Sequence, residues 1–175
     1  MGRERPQEAN AVGGKLVTGD TKVVERGKAD KIFINTAGIG EMMAGVNIHP
    51  ARAQAGDKII ISGSIAVHGI AIMSVREGLE FETEIASDTA PLNGLAEAML
   101  AASTNIHVLR DPTRGGVTSA LSEIAQTAKV GMLLDEALIP IDEQLQAARE
   151  THGHAPLDVT DEGKDLPTSS TDSAG

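Results

Sequence analysis

The stretch from Ile106 to Ala128 constrains what this chain can fold into more than any other. It joins an apolar run, Ile106-His107-Val108-Leu109, through Asp111-Pro112-Thr113-Arg114-Gly115-Gly116 to a segment in which Val117, Leu121, Ile124, Ala125 and Ala128 recur at one helical face. A strand therefore runs through a glycine turn into an amphipathic helix. Backbone N–H groups at a helix start have no intrahelical acceptor, and paired glycines let an anion approach the main chain without a Cβ in the way. Arg114 adds a planar donor fork suited to phosphate or carboxylate, while Asp111 and Thr113 are placed to cap the turn or orient Arg114. The same six residues also read as a capped turn with one solvated arginine.

The same alternation of strand and helix extends along the chain. Lys15 to Val24 and Lys31 to Gly40 read as two strands that can pair but cannot bury their apolar faces alone. Lys58-Ile59-Ile60-Ile61-Ser62 reads as a short buried strand, followed by Gly63-Ser64 and a helix from about Ile65 to Glu77 stopped by Gly78. Within that helix His68 reads as a hydrogen-bonded core histidine. Leu79 to Ile85 alternates as a half-exposed strand, and Ser87-Asp88-Thr89-Ala90-Pro91 is a helix-start signal ahead of a stripe of Leu92, Leu95, Ala96 and Met99. Beyond the central helix, Val130 to Leu134 reads as a strand, Ala137 to Ile141 as extended, residues 142–150 as a helix and Leu157 to Thr160 as a last short strand. This order predicts an α/β or α+β domain with helices covering a sheet. Residues 1–12 and 165–175 are polar and read as flexible ends.

Composition narrows the function. A formal charge of −10 repels phosphate backbones and anionic membranes, and with no Trp or Tyr and two Phe there are no stacking platforms for bases. With no cysteine, thiolate metal sites and a cysteine nucleophile are excluded within these residues. There is no signal-length apolar run at the start and no membrane-span-length segment, which reads as cytoplasmic. Asp135, Glu136, Asp142 and Glu143 read as a solvated acidic face with caps, and His152 and His154 as a loop pair lacking a third ligand.

Several stretches together resemble the hydrogenase expression/formation protein family HypE, the carbamoyl dehydratases of nickel–iron hydrogenase maturation. They are Val17-Thr18-Gly19-Asp20-Thr21-Lys22-Val23-Val24, Phe33-Ile34-Asn35-Thr36-Ala37-Gly38-Ile39-Gly40, Gly63-Ser64-Ile65-Ala66-Val67-His68-Gly69, Asp111 to Gly116, and Glu162-Gly163, in the family order. The resemblance implies a PurM-like (aminoimidazole ribonucleotide synthetase-like) C-terminal domain over residues 46–164, preceded at 13–45 by a remnant of the N-terminal ATP-binding domain. It further implies ATP-dependent dehydration of a cysteine-borne thiocarboxamide to thiocyanate, with ATP and Mg2+ as cofactors. The implied partners are the carbamoyltransferase HypF and the HypC–HypD scaffold, with a homodimer as a further expectation. Lys22 matches the family lysine near the phosphates and amide, and Glu162 the proton-accepting glutamate. Asp20, Thr21, Asp111, Thr113, Arg114, Gly115 and Gly116 fall on the nucleotide or phosphate side. The family's N-terminal aspartates and terminal cysteine are not represented, so the chain alone is expected to be incomplete and inactive. Another ATP-dependent synthetase or kinase of the superfamily, or a noncatalytic acidic interaction domain, remain the alternative readings.

Overall fold

The computed structural model describes residues 12–28, 33–77, 86–142 and 156–170. The chain divides into two compact units, Met1–Gly45 and Val46–Gly175.

In the first unit the described residues form no helix and no strand, with a bridge residue at Arg26 and a turn closed by Lys28 N–H to Glu25 O at 3.0 Å. The strands expected at 15–24 and 31–40 are absent from the described parts of those runs. Among the described residues no strand pairs with these runs, and Val17, Val23 and Phe33 are 87, 89 and 78% exposed, so little apolar burial repays the ordering of a strand.

The second unit is α+β. Its sheet has three strands, β1 (Lys58–Ile59), β2 (Ile106–Val108) and β3 (Thr168–Ser169), in the order β1-β3-β2. Both outer strands run antiparallel to β3, with Lys58 opposite Ser169 and Ile106 opposite Ser169, and the β2 register shifts between Ile106 and Val108. The pairing continues past the strands through Ile60 N–H to Pro167 O (3.1 Å), Ser62 N–H to Asp165 O (3.3 Å) and Leu166 N–H to Arg110 O (2.8 Å). The segment expected to begin a flexible tail at residue 165 is thus the middle of the sheet, and Leu166 is only 1% exposed. A single apolar side chain in a polar stretch hid this, because Thr168 and Ser169 are held by backbone pairing, which their side chains do not advertise.

Helix α1 spans Val67–Glu77, α2 spans Asn93–Ala102 and α3 spans Gly116–Ala128. The face of α3 read from the sequence is the one that packs: Val117, Ala120, Leu121 and Ile124 join Ala53, Ile65, Val108 and Leu166 in one buried cluster. Lys129 ends α3 in the left-handed conformation, its N–H returning to Ala125 O. Helix α2 buries no residue completely and begins after Leu92, with no side-chain cap. The helix-start signal at Ser87 to Pro91 does not cap it, because Ser87 and Thr89 bond His68 instead.

Three further expectations are corrected. Val130 to Leu134 is not a strand; Val130 and Met132 lean on the core while Leu133 is 95% exposed. Ala137 and Leu138 lie in a 3-10 turn, Glu136–Leu138, capped by Asp135, and residues 156 to 158 form another, Pro156–Asp158. Beside the core a cavity of about 500 Å³ is lined mainly by apolar residues including Ile59, Ile61, Leu121, Met132 and Leu157. None of the candidate site residues lines it. The strand expected at 79–85, the helix over most of 142–150, Glu143 and the His152/His154 pair lie outside the described residues.

Candidate functional site

The turn between β2 and α3 is built by its own residues. Arg110 donates from Nη1 to Asp111 Oδ1 at 2.8 Å and to Asp111 O at 2.9 Å, and from Nη2 to Glu123 Oε2 at 3.3 Å. Asp111 is therefore taken by Arg110 and does not orient Arg114. Its partial burial would raise its pKa, but the nearby Thr113 hydroxyl dipole, its own backbone and the Arg110 charge outweigh that and hold the carboxyl below its ordinary range. Gly115 is the N-cap of α3, with no side-chain cap from Asp111 or Thr113. Arg114, at φ 56°, is exposed and has no ion-pair partner among the described residues.

The glycine pair does not leave an open cradle. Gly116 is buried at φ 66°, and a Cβ there would run into the carbonyl oxygens of Leu157 and Val159. The chain needs glycine at 116 so that residues 157–159 can lie against the start of α3, which corrects the expectation that both glycines serve ligand approach.

Those residues lead into the segment carrying Glu162. Asp161 donates its N–H to Pro112 O at 3.3 Å, and its C=O accepts from Thr113 Oγ1 at 3.2 Å. These two bonds join the Asp111–Gly116 turn to the Asp161–Gly163 motif, so two of the sequence motifs meet at one junction. Glu162 is half-buried there. Gly163, at φ 70°, sits so close to residues 88–90 that a Cβ would come within 2.6 Å of Ala90 N and 2.7 Å of Asp88 O. Lys164 pairs with Asp88 Oδ2 at 2.5 Å.

Asp161 is the residue that motif reading missed. It is 0% exposed, its Oδ1 accepts the Ala66 N–H at 2.6 Å, and its Oδ2 has no hydrogen-bond partner among the described residues. Burial pushes its carboxyl up to about 6; the Ala66 bond opposes this, the Asp88 charge adds to it, and Lys164 opposes it. The available signal was its place in Asp161-Glu162-Gly163, where the neighbouring glutamate drew all the attention.

His68 also departs from expectation. It is hydrogen-bonded, but it is half-buried at the surface and not in the core: Nδ1 lies 2.8 Å from Ser87 Oγ and 3.2 Å from Thr89 Oγ1. Asp20, Thr21 and Lys22 belong to the first unit, where all three are exposed and the Thr21 N–H donates to Asp20 Oδ1 at 2.8 Å. Among the described residues no group of three or more His, Asp or Glu side chains is arranged to hold a metal ion, and no helix is long and apolar enough to cross a membrane.

Taken together, the second unit offers an exposed guanidinium, without an ion-pair partner among the described residues, on a helix-entry turn and a half-buried carboxylate on the segment bonded to that turn. Such a pair can meet a phosphate and accept a proton. Residues 54–166 match the family described as AIR synthase related protein, C-terminal domain. The chain is 53% identical over 156 residues to the carbamoyl dehydratase HypE of Cupriavidus necator, covering 89% of this chain and 44% of that relative.

The chain belongs to the HypE family.

Solved HypE structures agree. The HypE of a HypE–HypF complex superposes with a TM-score of 0.93 at 46% identity, covering 96% of this chain and 55% of that one. A hydrogenase maturation protein HypE in complex with ATP superposes with a TM-score of 0.91 at 42% identity, covering 96% and 50%. The chain thus spans about half the length of the HypE proteins it matches. These matches give it the PurM-like architecture and favour the HypE family over the synthetase and kinase alternatives.

Proposed function

We propose that this chain carries the proton-accepting and phosphate-facing part of a carbamoyl dehydratase, which converts a cysteine-borne thiocarboxamide to thiocyanate at the expense of ATP for nickel–iron hydrogenase maturation. An amide oxygen is a poor leaving group. Its attack on the γ-phosphorus releases ADP, and loss of one N–H proton leaves an imidate phosphate. Loss of the second N–H proton, with departure of phosphate, forms the C≡N bond. Glu162 is assigned the proton-accepting role and Lys22 a position near the phosphates and amide, with Asp20 and Thr21 on the nucleotide side.

Arg114 is the group best suited to phosphate, because it is exposed and without an ion-pair partner among the described residues, where Arg110 is already engaged. Asp111, Thr113, Gly115 and Gly116 hold the turn that presents it. Mg2+ would shield phosphate charge, but the described residues offer no cluster for it and no step here depends on it. Residues 13–45 are assigned to the ATP-binding domain and 46–164 to the C-terminal domain. Partnership with a carbamoyltransferase of the HypF kind, with a HypC–HypD scaffold and with a second copy of the chain, in the cytoplasm, completes the proposal.

The observation that carries this reading is the junction at Asp161, where Thr113 and Pro112 bond the residue preceding Glu162. The test joins this chain in frame to the segments of the Cupriavidus necator relative that it does not cover. ATP turnover and thiocyanate formation are then followed on the carbamoylated protein. Glu162→Gln is expected to cut thiocyanate formation by roughly 100-fold or more, as for loss of a general base. Arg114→Ala is expected to raise the KM for ATP. A joined protein whose turnover ignores both substitutions would overturn the proposal.

A further inference from the structure

Glu162 has little freedom in this fold, and the reason lies in its neighbours. On one side Asp161 is tied to three separate segments: to Pro112 by its N–H, to Thr113 by its C=O and to Ala66, just before α1, by its Oδ1 at 2.6 Å. On the other side Gly163 lies against residues 88–90 and Lys164 pairs with Asp88 at 2.5 Å. Ala66 itself has φ 69°, a left-handed conformation that a non-glycine residue adopts at a cost, so the Ala66–Asp161 bond holds a strained corner as well as the acidic segment.

We infer that Asp161 is the positioning residue for Glu162: its buried carboxyl, anchored on the Ala66 amide, sets where Glu162 stands relative to the Arg114 turn. This rests on the proton-accepting role proposed for Glu162 and goes beyond it by naming what fixes that carboxylate.

The anchor has a preferred protonation state. An ionised carboxylate buried with one oxygen unpartnered costs more than a neutral carboxyl in the same place. The charged groups acting on it are Asp88, from the segment before α2, which opposes ionisation, and Lys164, on its own segment, which favours it. The start of α1 presents the Ala66 amide, and the 111–116 turn presents the Pro112 carbonyl and the Thr113 hydroxyl to its backbone. The carboxyl is raised from 3.8 to about 6, so the folded chain binds the proton more tightly than the unfolded chain. Its contribution is therefore present in full below about pH 4 and is lost as pH rises through about 6.

The test uses this chain alone, labelled with 13C at its carboxyl groups. The Glu162 signal is expected to show a step near pH 6 as Asp161 ionises. Asp161→Asn, which keeps the acceptor for Ala66 but cannot ionise, should abolish that step and leave exchange of the residue-161 amide, which bonds Pro112 O, within about twofold of native. Asp161→Ala should raise that exchange by about tenfold or more. Persistence of the step near pH 6 in D161N would overturn the inference even if D161A does not fold, and so would native-like exchange at residue 161 in a folded D161A. Because no nucleotide is involved, an inactive joined protein that keeps the Asp161-dependent step would remove the dehydratase proposal and leave the positioning intact.

Discussion

Val23 and Ile65 are both β-branched residues in apolar stretches, yet Val23 is 89% exposed and Ile65 is 0% exposed. The contrast holds for their whole units. Val17, Val23, Phe33 and Ile39 are exposed on backbone outside any helix or strand, whereas Ile65, Val108, Ile124 and Leu166 close on one another. Apolar, strand-like sequence is common to both regions. What differs is an element to pack against, which α3 and β3 supply in the second unit.

The comparison can be broken most forcefully at Leu166. Leu166→Ala removes a side chain buried at the centre of the second unit and should cost about 3 kcal/mol in urea unfolding, the usual scale for a buried Leu→Ala. A cost below about 1 kcal/mol would mean that this cluster does not organise the unit. Gly116→Ala comes next. It places a methyl group against the Leu157 and Val159 carbonyls at positive φ and should lose about 2 kcal/mol or more, with heightened amide exchange at 157–163. The smallest effect is expected in the first unit, where Phe33→Ser should change the unfolding free energy of this chain by no more than about 0.5 kcal/mol. A larger loss would show that Phe33 packs against another part of the chain.

Parts of the fold were legible because their signals are local. The apolar spacing of Val117, Leu121 and Ile124 announces α3 and its buried face, and the glycine turn before it marks where the helix begins. At the candidate site, Arg114 and Glu162 were legible as residues, since each stands in a recognisable motif. What holds them was not. The links from Thr113 and Pro112 to Asp161, and from Ala66 to the same residue across 95 positions, are long-range hydrogen bonds to backbone groups that every sequence possesses. The role of Gly116 was misread for a related reason: glycine serves equally for a close ligand or a close neighbouring chain, and here Leu157 and Val159 occupy the space.

The sequence by itself determined the helix α3, the turn that opens it, the acidic and cysteine-free character of the chain and its family resemblance, all of which depend on residue identity and short-range periodicity. Only the tertiary structure decided that Thr168 and Ser169 form the middle strand, that Asp111 answers to Arg110, and that Asp161 lies buried beneath the Glu162 segment. The physical reason is that strand order, ion-pair choice and burial are settled by which distant segments come together, and a polar residue carries the same side chain whether water or protein surrounds it.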